Sequence, residues 1–277
     1  MSASAPRVVA IGGGHGLSVT LQAATTYAGT LTAVVSVADD GGSSGRLRET
    51  TGLPAMGDIR RCLSSLAEPA VLGQMFEHRF DDDLAGHALG NLMITALAQR
   101  IGFRAAIDEL GRLLAVPARI LPATEVPVDL VAVTDAGTVH GQVAVQDSTD
   151  IRRVALDPPD PAADPDAVEA IAQADQIVIG PGSLYTSVLA ALAVPDIRSA
   201  VTDSPALVVY VSNLQAQEPE TANYATSTCV DALRSHGIDP DVVIDEPTLA
   251  DAGGRLHDPK LLAPALAGTL GRPRSPR

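Results

Sequence analysis

Apolar and polar positions change rhythm several times along the chain. Arg7–Ile11 (RVVAI) and Leu31–Val37 (LTAVVSV) are short, nearly unbroken apolar runs, the pattern of strands buried on both faces of a parallel sheet. Between them Leu17, Leu21 and Ala24 recur at helical spacing. Strand, helix, strand is the first βαβ half of a doubly wound sheet. Met56 to about Val116 reads as mostly helical, with pieces starting near Asp58 and Ala70 and spanning His87–Arg100 and Phe103–Ala115. One crossover needs less helix than this, so segment 56–116 predicts a helical cap over one sheet edge. Pro127–Gln146 alternates with period two: VDLVAVT and TVHGQVAVQ flank Asp135-Ala136-Gly137, a β-hairpin pattern. Asp157–Pro165 is proline-rich and predicts a loop. The parallel rhythm then returns. It gives helix Ala167–Ala174, strand Gln176–Ile179, helix Leu184–Ala193, strand Ala206–Ser212, helix Tyr224–His236 and strand Asp241–Ile244. The expectation is one α/β domain over residues 1–277: a Rossmann-like, mostly parallel, doubly wound sheet. It carries the helical cap and a β-hairpin insertion at about 127–146, and closes in a flexible Pro/Arg-rich tail, 271–277.

Composition sharpens this picture. Of 277 residues 46% are apolar but only 3% aromatic, with no Trp, so Val, Ile, Leu and Ala must build the core. The formal charge is −14. A chain this acidic lacks the electrostatic footprint of a nucleic-acid binder and is repelled by anionic membrane surfaces. An anionic ligand must be held by local donors. Lys260 is the single lysine, so arginine carries almost all positive charge. Cys62 and Cys229 stand far apart in no metal or disulfide pattern and read as two buried free thiols. No apolar run has the length of a signal peptide or a bilayer span. The expectation is a cytoplasmic protein without membrane insertion.

The chemistry gathers in loops at strand ends. Gly12-Gly13-Gly14-His15-Gly16 lies between a strand and a helix, where backbone N–H groups approach an anion at the positive helix end. His15 adds a donor. Ala38-Asp39-Asp40-Gly41-Gly42-Ser43-Ser44-Gly45-Arg46 follows the second strand. Here Asp39 and Asp40 are candidates for ribose hydroxyls or a Mg²⁺ ion, and Gly42, Ser43, Ser44 and Arg46 for an anion nest. In Gly57-Asp58-Ile59-Arg60 the Asp58 side chain is a candidate N-cap, and Arg60 one that faces the ligand. His87 and Asn91 are four apart and predict a shared helix face, where Asn91 is a candidate either for ligand contact or for buried-polar packing. Gly180-Pro181-Gly182-Ser183 repeats the strand–glycine–helix arrangement and places Gly180, Gly182 and Ser183 on the opposite wall. Asn213 closes the strand ALVVYVS, in position for a base contact or a turn. No GxSxG elbow, HExxH or Cys–His pairing is present, so no catalytic residue is assigned.

The strings GGGHGLS, VADDGGSSGRLR, GDIRRCL, FEHRF, GHALGNL and IGPGSLYTSV, then a strand ending in SNL, resemble the gluconeogenesis-factor family (YvcK type). This family is related to 2-phospho-L-lactate transferase (CofD type) of deazaflavin-cofactor synthesis. The resemblance covers roughly residues 7–260. It implies a Rossmann-like fold and binding of a nucleotide sugar, UDP-N-acetylglucosamine. It also implies a role in carbon metabolism, cell shape and wall synthesis, with a homodimer and a cell-wall synthesis protein as possible partners. GGGHGLS without a nearby lysine departs from the transferase start, and the unbroken DDGGSSGRLR favours the gluconeogenesis-factor branch. Gln215–Thr221 (QAQEPET) lacks the glycine of the related Gln-Pro-Gly-Glu-Thr turn, and His15 stands where many relatives have threonine. The rival is a Mg²⁺-dependent phospholactyl-type transferase, with Asp39 and Asp40 holding the metal. A plain NAD-type dinucleotide binder is a third reading, lacking a candidate acid/base pair.

Overall fold

A computed structural model describes residues 5–81, 84, 86–272 and 274. Six strands form one parallel sheet: β1 (Arg7–Gly12), β2 (Thr30–Val35), β3 (Arg119–Pro122), β7 (Gln176–Ile179), β8 (Leu207–Val211) and β9 (Val242–Ile244). Their order is β3-β2-β1-β7-β8-β9, and every pairing is parallel. Renumbered within the sheet, this is the doubly wound order 3-2-1-4-5-6. β7 and β8 are buried at every position, so the sheet needs cover on both faces. Helix α1 (Gly14–Ala24) packs with α3 (Gly57–Ser65) and α12 (Pro259–Ala267), and α8 (Pro165–Ala172) with α10 (Pro195–Asp203).

The cap expected at 56–116 consists of α3, α4 (Ala70–Glu77), α5 (Leu89–Ile101) and α6 (Phe103–Leu113). It is preceded by α2 (Gly42–Thr51), a helix not foreseen because its sequence GSSGRLRETT has almost no apolar face. The hairpin is shorter than expected. β4 (Asp129–Thr134) pairs antiparallel with β5 (Gly137–His140) and with β6 (Ile151–Asp157), a separate three-stranded sheet. Gln142–Gln146, expected as strand, is the short helix α7. Gly141, at φ +94°, breaks the strand, and the Asp40 carboxylate accepts the Val143 N–H at 2.9 Å, fixing the first turn. β3, β6, α10 and α12 also escaped the pattern reading. β3 is four residues ending in proline, and β6 buries alternate sides only partly.

After β7 the chain enters a π-helix (Leu184–Leu189) that runs into α9 (Ala190–Leu192). The last long helix before β9 is α11 (Thr226–Ser235). Both cysteines are free, Cys62 buried and Cys229 only half-buried. Of the expected flexible tail, residues 273 and 275–277 lie outside the described residues, while Arg274 Nη2 donates to the Thr202 carbonyl. Among the described residues no single helix is long and apolar enough to cross a membrane.

Candidate functional site

Strand order reverses between β1 and β7, and the crevice outside their carboxyl ends is where such sheets bind ligands. The loops following these strands are packed into one another. Gly16 approaches the Pro181 carbonyl so closely that a Cβ there would lie 2.1 Å from the oxygen. Thr20 Oγ1, one turn further along α1, donates to the Gly180 carbonyl at 2.8 Å. Above this contact opens a cavity of about 670 Å³, within the range of small-molecule sites.

Its walls come from every part of the chain. The first loop contributes Gly13, Gly14, His15 and Gly16; the second strand's loop contributes Asp39, Gly42, Ser43 and Ser44. The cap adds Asp58, Arg60 and Asn91, and the far wall holds Gly182, Ser183 and Asn213. Four candidates sit elsewhere. Gly12 belongs to β1 and faces Val188 and Leu17. Gly180 lies under the loop, its N–H bonded to the Ile11 carbonyl. Asp40 turns to α7. Arg46 reaches toward Gly86 and does not line the cavity.

Helix ends explain why the cavity suits an anion. α1 begins after Gly13 and α2 after Gly41; neither has a side-chain cap nor an acid in its first turn. Their leading N–H groups therefore remain for a ligand at the positive helix end. Gly14 carries φ +63° with open space where a Cβ would point, a backbone state that favours glycine. Two further helix starts at the cavity are already served. Ser44 Oγ accepts the N–H groups of Met56 and Gly57, each at 3.1 Å, at the head of α3. Asp58 is thus not the N-cap that the sequence suggested; it sits in the first turn, paired with Arg61 Nη1 at 2.7 Å. The π-helix is capped by Glu220, only 1% exposed, which accepts from Tyr185 N at 2.7 Å and Thr186 Oγ1 at 2.8 Å. Burial raises the Glu220 pKa and these bonds oppose the rise.

The charge balance is local. The lining carries Arg60, Arg61, Arg79 and Arg255 against Asp39 and Asp58, a cationic spot in a chain of net charge −14. Arg60 is 1% exposed. Its Nη1 lies 2.8 Å from Glu77 Oε2, but among the described residues Nε has no partner, and burial lowers its proton affinity. Asn91 Oδ1, Gln217 Oε1 and His257 Nε2 are also buried without partners among the described residues, and all three residues line the same cavity. Buried polar atoms are nearly always bonded in native proteins, so four wall residues with open valences mark a place built for a polar guest. Asp39, half-buried and accepting from the Gly41 N–H at 2.8 Å, has its pKa raised to about 6, chiefly by desolvation. Burial and nearby Arg61 hold His15 below its ordinary value.

Two sequence expectations change role. His87 is not on α5, which starts at Leu89. His87 Nδ1 and Asn91 Nδ2 nevertheless meet, each 3.0 Å from Ser43 Oγ. Asn213 clamps the second loop: Oδ1 accepts from Gly182 N and Nδ2 donates to the Gly182 carbonyl, both at 2.8 Å. Asp39 and Asp40 diverge, and among the described residues no three His, Cys, Asp or Glu side chains converge to hold a metal. Asp39 lines the cavity while Asp40, held by the Val143 N–H, does not, so the two do not meet there as a pair. Arg61, Arg79, Gln217, Arg255 and His257 were missed as site residues. Arg61 follows Arg60 within GDIRRCL, and His257-Asp258-Pro259 keeps a family-like string, but Arg79, Gln217 and Arg255 carry no local signal of the walls that folding assembles from the cap and the C-terminal region.

A model of the family described as 2-phospho-L-lactate transferase CofD matches residues 8–252. The chain belongs to that family. Within it, the chain is 42% identical over 253 residues to a protein of Halalkalibacterium halodurans named gluconeogenesis factor, covering 88% of this chain and 79% of the relative. A Deinococcus radiodurans relative is 43% identical over 246 residues, 86% of this chain, and the chain spans 53% of its length. A solved Bacillus halodurans member of the UPF0052 family superposes with TM-score 0.88 at 35% identity, covering 94% of this chain and 98% of that one. This chain, a parallel sheet with helices and a small antiparallel sheet, therefore shares its fold with that UPF0052 protein.

Proposed function

We propose that the protein is a gluconeogenesis factor that binds a UDP-sugar, UDP-N-acetylglucosamine, and acts as a regulator of carbon metabolism, cell shape and wall synthesis in the cytoplasm. The observation that carries the reading is the set of buried polar atoms of Arg60, Asn91, Gln217 and His257 without a partner among the described residues, all of residues lining one cavity, together with the uncapped starts of α1 and α2. A diphosphate between two helix N-termini and Arg60 satisfies the electrostatics. The polar wall from Gln217 to His257 then meets the sugar. Relatives that bear the name gluconeogenesis factor support the gluconeogenesis part of the reading.

The test is calorimetric titration with UDP-N-acetylglucosamine, then UDP and NAD, each with and without Mg²⁺. Selective binding of the UDP-sugar, indifferent to Mg²⁺ and without turnover, is expected. Absence of binding, or tighter binding of NAD, overturns the reading. One observation favours the transferase alternative: Asp39, with a pKa of about 6 on the cavity wall, has the properties of a general base. Release of a nucleotide product with a deazaflavin acceptor and a phospholactyl donor would establish that alternative.

A further inference from the structure

A second, smaller cavity of about 250 Å³ lies between β6, the end of the π-helix with α9, α10 and the end of α11. Its floor is apolar, formed by Leu189 and Leu192, and its rim carries Arg153, Arg198 and His236. Both arginines are near enough to His236 to lower its proton affinity. Arginines elsewhere in this acidic chain are mostly ion-paired, as Arg7 is with Asp175, Arg48 with Asp129 and Arg104 with Asp164. Among the described residues neither Arg153 nor Arg198 has a salt bridge or a side-chain hydrogen bond. Among the described residues Arg79 and Arg255 also have no ion-pair partner, and both line the main cavity.

A plainer role for two cations here would be to neutralise the carboxyl end of α11. The bonding argues against it. The Leu233 carbonyl accepts from His236 N and Ile238 N, the Arg234 carbonyl from Gly237 N, and the Ala232 carbonyl from Ser235 Oγ and His236 Nδ1. No carbonyl of that turn is served by a guanidinium. His236 is also fully engaged, since its Nε2 accepts from Val154 N at 3.0 Å. It is therefore a neutral wall, and only the two guanidiniums are open to a guest.

We propose that this cavity is a second anion site that takes a small phosphate monoester. The phosphate sits between Arg153 and Arg198 and a short carbon portion rests on Leu189 and Leu192. The volume excludes a nucleotide sugar, which needs the larger cavity. The same π-helix that ends at Leu189 carries Thr186 and Ser187 on the main cavity's wall, so the two sites share one element.

The test is an NMR titration of the whole protein with glycerol phosphate and, separately, inorganic phosphate and acetate. His236 reports the second cavity, and His15 and His257 report the first. The expected result is a saturable shift of His236 with glycerol phosphate. Affinity should fall about tenfold or more in Arg153→Ala and in Arg198→Ala, with unchanged responses at His15 and His257. A shift confined to His15 and His257 overturns the proposal. So does a linear, unsaturable response at His236, or one retained in both variants. An equal response to acetate moves the site to carboxylates and also overturns the phosphate assignment. Arg153 is exposed, so Arg153→Ala decides alone should Arg198→Ala fail to fold.

Discussion

The two glycine loops at the switch point share one sequence grammar and differ in physics. After β1, Gly12–Gly16 leads into an α-helix whose first N–H groups have no internal acceptor. After β7, Gly180–Ser183 leads into a π-helix whose first N–H groups are taken by Glu220, while Asn213 holds Gly182 from both sides. The first loop is left open for an anion. The second is a finished wall against which the first is braced, through Gly16 and Pro181. A glycine run after a strand thus says that the backbone comes close to something. Whether that is a ligand or the protein itself depends on where the distant carboxylates go.

Breaking the brace should have the largest effect. Gly16→Val places side-chain atoms within the space of the Pro181 carbonyl. The expectation is a loss of about 3 kcal/mol or more of stability, since backbone on both sides resists relief, and no measurable UDP-sugar binding. Denaturant melts and calorimetry check both. Next, Arg60→Met removes a buried cation from the open side. UDP-sugar affinity should fall about 10- to 100-fold. Stability should hold or rise, because an incompletely bonded buried charge is costly. Equal losses in binding and stability would mean that Arg60 only props the cap.

Glu220→Gln tests the closed side and should give the reverse. It weakens charge-assisted bonds to Tyr185 and Thr186, costing about 1–2 kcal/mol of stability, while affinity falls less than in Arg60→Met. The smallest effect concerns Asp39. Its folded pKa, about 6, is raised from 3.8, so the folded state holds the proton more tightly than the unfolded chain. The stability this contributes is complete below about pH 4 and is lost as pH rises through 6. Asp39→Asn should match wild type near pH 4 and exceed it by about 1–2 kcal/mol at pH 7.5, allowing for solvent at a half-buried group. A variant that tracks wild type across the range would contradict the burial argument.

How much of this was legible in the chain follows the same division. β1, β2, β7 and β8 announce themselves as apolar runs, and the helical pieces of the cap fall close to their expected starts. Gly13, Gly14, Ser43, Arg60 and Gly182 meet at one cavity because each follows a strand end or caps the same edge. Legibility fails where partners are remote. Asp40 cannot be told from Asp39 without knowing that Val143, a hundred residues on, will claim it. α7 is too short for its alternation to distinguish helix from strand, and the Asp40 bond decides. Glu220 lies in the QAQEPET departure, which gives no sign that its carboxylate caps a helix begun at Leu184. Arg255 and His257 reach the site from beyond β9, where His257 bridges back to Ala250.

The most direct measurement is amide hydrogen exchange, residue by residue, with and without saturating UDP-N-acetylglucosamine. The account predicts that ligand protects the amides of Gly14–Gly16 and Gly42–Ser44. Gly182 and Tyr185, already bonded to Asn213 and Glu220, should be slow in both states. Strong new protection at Gly182 and Tyr185 with none at Gly14–Gly16 would contradict it, placing the anion on the wall that the structure shows as closed.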